Sequence, residues 1–274
     1  MSEQISTLPA RSATSPVNRI PLATYRLQLR EGFGFEQIRE LLPYLQTLGV
    51  SDLYLSPLFR ARENSTHGYD VIDHGQIEPA FGGREAFVRM AEEARVRGMG
   101  VILDVVPNHM GVNDGGNRYW RDVLENGEAA RWADFFDIDW DAIPLNLKHR
   151  VLLPVLGKPF GATLEAGEFR VVYDDHRLQL EYFDRRFPLA PRTWTAVLQL
   201  VSQGLASESE EVVAKSRDAG IERAELDSII SQLSHLPPCD QRGGMSMRER
   251  YREQRIARRR LGHLVDKRPQ VHQA

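Results

Sequence analysis

The chain has 274 residues, of which 42% are hydrophobic and 27% charged, a composition that supports a globular core and excludes wholesale disorder. Its 35 lysines and arginines against 38 acidic residues give a formal net charge of −3, which excludes nucleic-acid binding by bulk positive charge alone. A single cysteine, Cys239, excludes an intrachain disulfide and favours a reducing compartment. No apolar run approaches the roughly 18–20 residues of a membrane span.

The first segment, residues 1–19, is rich in Ser, Thr, Pro and Ala. It lacks the apolar region of a secretory signal. We therefore expect a disordered tail over 1–19 and a cytoplasmic protein without membrane contact.

The following residues alternate between strand and helix patterns. Alternating side chains predict a strand over 20–29, and apolar residues at three- and four-residue spacing predict a helix over 35–48 that ends at Gly49. Residues 50–55 form a short apolar strand pattern. A long loop is predicted over 58–83, and loops of that length inside domains are usually functional.

A second helix is predicted over 84–97, followed at 100–106 by a nearly unbroken apolar run, which is typical of a strand covered on both faces. Strand–helix–strand–helix–strand order indicates a parallel sheet with right-handed crossovers. An open Rossmann-like sheet and a TIM barrel both fit this order. No G-x-G-x-x-G follows the first strand, so a dinucleotide site has no support.

The alternation stops after residue 106. We predict a helix over 119–124, a hairpin of 169–173 with 178–183, and helices over 194–236. Residues 242–268 contain ten Lys or Arg against three acids, a local charge of +7. This block is interpreted as a solvated helix with Arg–Glu pairs around Glu249 and Glu253, and the alternative is contact with nucleic acid or a membrane.

Polar residues follow two of the predicted strands. Asp104 lies in the third strand, with Asn108 and His109 just beyond it, and the long loop after the second strand contains His67, Tyr69 and Asp70. In parallel α/β folds, ligands bind beyond the carboxyl ends of the strands. In one interpretation these residues are functional and form the floor of a binding pocket. In the other they are structural: Asp104 pairs with an arginine, the Pro-Asn and Gly-Tyr steps form turns, and Asp70 caps nearby backbone amides.

Four segments together resemble the α-amylase superfamily of glycoside hydrolases and transglycosylases. They are Ala-Thr-Tyr-Arg-Leu-Gln at 23–28, Leu-Tyr-Leu-Ser-Pro at 53–57, Ser-Thr-His-Gly-Tyr-Asp at 65–70 and Asp-Val-Val-Pro-Asn-His at 104–109. Further segments at 119–124, 135–140, 152–157 and 186–191 are similar to the maltooligosyl trehalose synthase family within it. The resemblance covers roughly residues 20–195.

The resemblance implies a TIM barrel that converts the reducing-end α-1,4 linkage of a maltooligosaccharide into an α,α-1,1 linkage, without a cofactor. It also implies residue roles. Tyr69 would stack on the sugar beside the cleaved bond, His109 would hydrogen-bond that sugar, and His67 would line the rim. Asp104 would orient an arginine near the nucleophile, and Asp70 and Asn108 would hold the loops. No metal is predicted, because no cluster of oxygen ligands sufficient for Ca²⁺ is evident.

One expected segment is missing. The family places its nucleophile in Gly-x-Arg-x-Asp-His after the fourth strand, and neither this segment nor the acid/base Glu occurs in the 274 residues. We therefore expect an α/β fold with the first three strands of an incomplete TIM barrel at 20–110. An α+β insertion is expected at 111–195 and an Arg-rich helical segment at 196–274.

Three explanations for the missing segment stay open at this point. The chain is an amino-terminal fragment, the product of a truncated gene, or one half of an enzyme completed by a second polypeptide. Activity of the chain alone is not expected. An α-amylase-type hydrolase and a non-catalytic remnant that binds glucan or a partner are the alternative functions.

Overall fold

The chain divides into two units, residues 1–109 and 110–274. A computed structural model describes residues 20–112, 116–142, 147–212, 217–240 and 242–267. The predicted tail at 1–19 lies outside these residues. No helix in the described part of the chain is long and apolar enough to cross a membrane.

The first unit combines a parallel sheet with two helices and an antiparallel hairpin. The sheet has the order β1-β2-β5, and neighbouring strands are parallel, as the sequence predicts. The three strands are shorter than predicted. The elements are β1 (Thr24–Leu27), α1 (Phe35–Thr47), β2 (Asp52–Leu55), β3 (Phe59–Ala61), β4 (Val71–Ile77), α2 (Gly83–Val96) and β5 (Gly100–Leu103).

The two helices cover one face of this sheet through their apolar stripes. Phe35, Ile38 and Leu42 of α1 are fully buried, as are Met90 and Ala94 of α2. They share a core with the buried leucines of β2. This packing confirms the helices predicted from the spacing of the apolar residues, because that spacing places them on the buried face of each helix.

Gly34 lies at the beginning of α1, where its N–H donates to Gln37 Oε1 at 2.9 Å. A short 3-10 helix, Pro79–Phe81, approaches it closely. A Cβ atom added at Gly34 would lie 2.5 Å from the carbonyl oxygen of Phe81. The absence of a side chain at position 34 therefore permits this backbone contact.

The long loop predicted over 58–83 is wrong, because β3 and β4 pair there as an antiparallel hairpin. The pairing has register irregularities, and Val71, Ile72 and Asp73 are all buried. Consecutive buried residues show no alternation of polar and apolar side chains. The sequence therefore carries no strand signal at this hairpin.

The expectation that residues 100–106 are covered on both faces is also wrong. Leu103 is 39% exposed and Val105 46% exposed, and the strand ends at Leu103. In the described residues, the outer edges of β1 and β5 have no partner strand. An apolar sheet surface with free edges favours association.

We expect the purified chain to self-associate through this uncovered sheet. Size-exclusion chromatography with light scattering should give a mass above 31.2 kDa, and a hydrophobic dye should bind. The variant Val105→Lys should reduce both signals because it places a charge on the exposed surface. A monodisperse monomer that binds no dye would contradict the expectation.

The second unit contains a three-stranded antiparallel sheet and five α-helices in its described part. The predicted hairpin is confirmed, with Asp175 and His176 at positive φ in its turn, and a third strand extends it. The elements are α3 (Arg118–Asn126), α4 (Phe160–Glu165), β6 (Phe169–Asp174), β7 (Arg177–Tyr182), β8 (Arg185–Pro188), α5 (Trp194–Val212), α6 (Arg217–Ser234) and α7 (Gly244–Lys267).

The Arg-rich block forms α7, but it is not solvated on all sides. Ala257 and Leu261 are buried in a core with Trp194, and Arg250 is only 2% exposed. The guanidinium of Arg250 donates to the Pro237 carbonyl, which satisfies part of its hydrogen-bonding capacity inside the protein. The interpretation of this block as a solvated helix is therefore wrong for one face.

Three polar pairs join α7 to α3, and we call them the α3–α7 polar seam. The Tyr251 hydroxyl lies 2.7 Å from both carboxylate oxygens of Asp122. Gln254 donates to Asn126 at 2.6 Å, and Arg258 donates to Glu125 at 2.7 Å. Burial, followed by the hydrogen bond to Asp122, raises the pKa of Tyr251, so its phenol stays protonated and keeps donating.

Candidate carbohydrate-binding site

The parallel register aligns three polar side chains at the carboxyl end of the sheet. Arg26 of β1 is paired with Tyr54 of β2, which is paired with Ile102 of β5. Side chains two residues apart along a strand point to the same face. Asp104, two residues beyond Ile102, therefore lies on the face that carries Arg26 and Tyr54.

Asp104 lies one residue past the end of β5 rather than inside it, although its N–H still donates to the Leu55 carbonyl at 3.0 Å. Its Oδ2 accepts hydrogen bonds from the Tyr69 hydroxyl at 2.7 Å and from the Tyr54 hydroxyl at 3.3 Å. Arg26 Nη2 lies 3.5 Å from the same oxygen. The carboxylate side chain is 15% exposed, and these three donors compensate its partial burial.

Tyr69 connects this cluster to the loop before β4. Its hydroxyl accepts from Arg26 Nη2 at 3.1 Å while it donates to Asp104. The hydrogen bond to the Asp104 carboxylate, followed by partial burial, raises the pKa of Tyr69. The phenol therefore remains a neutral donor over the physiological pH range.

Arg26 is held on the sheet by more than its contact with Asp104. Burial acts to lower the pKa of Arg26, but the Tyr69 and Tyr54 phenols outweigh it and the pKa is raised. The guanidinium lies 5.4 Å from the centre of the Tyr54 ring and donates to Gln28 Oε1 at 2.8 Å. A fixed cation of this kind orients the neighbouring carboxylate.

The loop that carries Tyr69 has a specific turn at Gly68. Gly68 has φ +77°, and an added Cβ would lie 2.9 Å from the Pro57 carbonyl oxygen. Its N–H donates to Ser65 Oγ at 3.1 Å. Only glycine fits this conformation and approach without strain.

His67 lies beside Tyr69 at this turn. The two rings are stacked with centroids 5.9 Å apart, and the Tyr69 N–H donates to His67 Nδ1 at 3.0 Å. Because Nδ1 accepts this bond, the ring proton of neutral His67 lies on Nε2. The side chain is 53% exposed, so the imidazole is accessible from solvent.

Asp70 stabilises the loop. Its carboxylate accepts from the Ser65 hydroxyl and lies 3.3 Å from Arg62 Nε. Its backbone carbonyl accepts from the Arg62 N–H at 3.0 Å. These contacts close the segment between β3 and β4.

Asn108 and His109 lie beyond β5 and are exposed. His109 Nδ1 lies 3.3 Å from Asn108 Oδ1. Among the described residues, no hydrogen bond joins either side chain to Tyr69, Asp104 or His67. The structure therefore brings Tyr69, Asp104 and His67 into one cluster and leaves Asn108 and His109 as a separate exposed pair.

Arg26, Tyr54 and His74 belong to this arrangement, although no sequence motif marks them as site residues. His74 Nε2 lies 3.0 Å from the Val106 carbonyl oxygen, which ties β4 to the segment after β5. Parallel pairing of the three strands indicates Arg26 and Tyr54. Side chains alternate between the two faces of a strand, and both residues lie on the face that carries Asp104. No group of three potential metal ligands occurs among the described residues.

Comparison with known proteins identifies relatives of this region. Residues 31–155 match the catalytic-domain family described as Alpha-amylase. The solved maltooligosyltrehalose synthase from Arthrobacter ramosus is 42% identical, with a TM-score of 0.55, over 62% of this chain and 21% of that structure. Another crystal structure of maltooligosyl trehalose synthase is 39% identical, with a TM-score of 0.56, over 62% of this chain and 22% of that one.

Curated sequences give the same result. A protein of Mycobacterium tuberculosis (strain H37Rv), whose name includes maltooligosyl trehalose synthase, is 42% identical over 176 residues, or 62% of this chain and 21% of the relative. An intracellular maltogenic amylase of Bacillus subtilis is 37% identical over 130 residues, or 47% of this chain and 21% of the relative. The chain thus spans about a fifth of the length of the curated relatives it matches.

Proposed function

We propose that this chain, which carries part of an α-amylase catalytic domain and matches the amino-terminal region of maltooligosyl trehalose synthases, supplies part of the glucan site of such an enzyme. The observation that supports it is the Tyr69–Asp104–Arg26 cluster at the carboxyl end of a parallel sheet. Ligands of parallel α/β folds bind at this end. The reaction is rearrangement of a reducing-end α-1,4 linkage to an α,α-1,1 linkage.

Each site residue has a role in this proposal. Tyr69 presents an aromatic face to the apolar face of a glucose ring, and its hydroxyl is fixed by Asp104 and Arg26. His67 lines the rim of the subsite. His109 donates a hydrogen bond to a sugar hydroxyl, with Asn108 beside it.

The fold supports the same proposal in outline. We assign β1, β2 and β5 as the first three strands of a TIM barrel, residues 111–195 as an insertion after the third strand, and residues 196–274 as a helical segment. Parallel pairing in sequence order supports the barrel assignment, since barrel strands pair with their successors. The remaining strands would come from a second polypeptide or from further chain.

Chemistry at the anomeric carbon needs two carboxyl groups about 5–5.5 Å apart, a nucleophile and an acid/base. In this proposal neither lies in the 274 residues. The chain's contribution is to bind and orient the sugar. The single cysteine supports a cytoplasmic location for this enzyme.

Tyr69→Ala is expected to weaken binding of maltopentaose to the purified chain by about tenfold, because the stacking face is lost. Tyr69→Phe keeps the face and should lose much less. Isothermal titration calorimetry measures both dissociation constants.

The matched control is Tyr44→Ala, which removes a tyrosine that is 61% exposed on α1. This variant should bind maltopentaose like the parent. Equal affinities for the parent, Tyr69→Ala and Tyr44→Ala would remove Tyr69 from the glucan site and refute the proposal.

An α-amylase-type hydrolase is the second candidate, favoured by the similarity to maltogenic amylase. The two activities differ in their products. Rearrangement removes reducing ends, whereas hydrolysis creates them. A reducing-sugar assay on the enzyme reconstituted with the missing strands distinguishes these outcomes directly.

A further inference from the structure

The second unit contains an open cavity of about 1570 Å³ that is separate from the site described above. Its walls come from α6, from α7 and from the turn between β6 and β7. Pockets for small-molecule ligands are typically about 300–1,000 Å³, so this open cavity has room for such a ligand. Arginines are concentrated in its lining, at positions 177, 255, 258, 259 and 260.

Two of these guanidinium groups have no acidic partner. Arg255 and Arg259 are exposed, and within the described residues neither makes an ion pair. They are four residues apart and therefore lie on one side of α7. Arg258, on the same helix, lies between them in sequence and also lines the cavity.

Two further arginines of the lining are ion-paired. Arg177 and Arg258 share the carboxylate of Glu125, at 3.0 and 2.7 Å, and Glu125 is only 5% exposed. Burial and then the charge of Arg177 lower the pKa of Arg121, while the charges of Glu125 and Asp175 act to raise it. Asp175 also pairs with Arg177, so two carboxylates balance Arg177 and Arg258. Arg255 and Arg259 are the arginines of the lining that make no ion pair within the described residues.

The lining also contains four carboxylates, of Asp175, Glu222, Glu225 and Asp266, and two of them pair with arginines of the same lining. Glu225 binds Arg260 through both oxygens, at 2.8 and 3.0 Å. Asp175 pairs with Arg177. Tyr173 has a pKa raised to about 12, mainly by burial and then by the negative charges of Asp266 and Asp175.

We propose that this cavity binds a small phosphate monoester. Arg255, Arg258 and Arg259 would hold the phosphate, because guanidinium groups donate to several phosphate oxygens at once. Ile221 and Leu264, which also line the cavity, provide an apolar wall for the uncharged part of the ligand. This proposal is independent of the glucan site.

Phenyl phosphate is the probe, because it combines a phosphate with an apolar body. Isothermal titration calorimetry on the full chain should show saturable 1:1 binding. Inorganic phosphate should bind at least about tenfold more weakly, since it leaves the apolar wall without a ligand. Benzyl alcohol, which lacks the phosphate, should give no saturable heat.

Arg255→Met and Arg259→Met should each weaken phenyl phosphate binding by about tenfold. The matched control is Arg252→Met, which removes the same charge from an exposed arginine of α7 that pairs with Glu253 and does not line the cavity. Its affinity should stay within about twofold of the parent. Circular dichroism shows that each variant is folded.

Two results would overturn the proposal. One is the absence of saturable phenyl phosphate binding to the parent chain. The other is an equal loss of affinity in Arg252→Met and Arg255→Met, which would indicate attraction by net charge rather than a built site.

Discussion

The purified 274-residue chain is expected to form no maltooligosyl trehalose and to release no sugar from maltopentaose. Retaining glycosyl transfer passes through a covalent intermediate and needs a nucleophile and an acid/base. The sequence contains no Gly-x-Arg-x-Asp-His segment, and the described residues contain three parallel strands. Asp104, the carboxylate of the site, is committed to Tyr69, Tyr54 and Arg26.

Chromatography of the carbohydrate products tests this expectation at high protein concentration. The full-length Arthrobacter ramosus synthase serves as the positive control, and a mock preparation gives the background. The variant Asp104→Asn separates the possible sources of any product. Turnover above background that disappears in Asp104→Asn would show that this chain is catalytic by itself.

Gly34→Ala is expected to destabilise the first unit by roughly 3 kcal/mol, near the upper end for overpacking. The added Cβ would lie 2.5 Å from the carbonyl oxygen and 2.8 Å from the carbonyl carbon of Phe81. These are backbone atoms, so no change of rotamer relieves the collision. The helix α1 or the 3-10 helix Pro79–Phe81 must move, and urea unfolding followed by circular dichroism measures the cost.

Gly161→Ala provides the control for this substitution. Gly161 lies in α4, and an added Cβ there meets nothing within 4 Å. Alanine favours the helix over glycine by roughly 0.5–1 kcal/mol, so this variant should be slightly more stable than the parent. Equal stabilities for Gly34→Ala and the parent would show that Phe81 does not approach residue 34 in solution.

Much of the first unit can be predicted from its sequence because its signals are local. The apolar positions of α1 recur at helical spacing, and Phe35, Ile38 and Leu42 are all buried. The proximity of Tyr69 to Asp104 also follows from a rule, that the carboxyl ends of parallel strands lie at one edge of the sheet.

The partners of Asp104 were harder to predict. Arg26 alternates with apolar residues in β1, a pattern that also fits a solvent-facing charge. Its role depends on register with Tyr54, which is a non-local property. The β3–β4 hairpin has no strand pattern in the sequence because its buried residues are consecutive. The buried face of α7 has no apolar pattern because it includes Arg250 and Gln254.

The α3–α7 polar seam connects the segment that matches the α-amylase family to a helix that lies outside that segment. Asp122, Glu125 and Asn126 lie within the segment that matches the α-amylase family, whereas α7 lies beyond it. All three pairs form at a single relative position of α3 and α7 along their axes. A shift of α7 by one turn would therefore separate every donor from its acceptor. A variant in which another helix replaces α7 must therefore keep donors at the positions of Tyr251, Gln254 and Arg258.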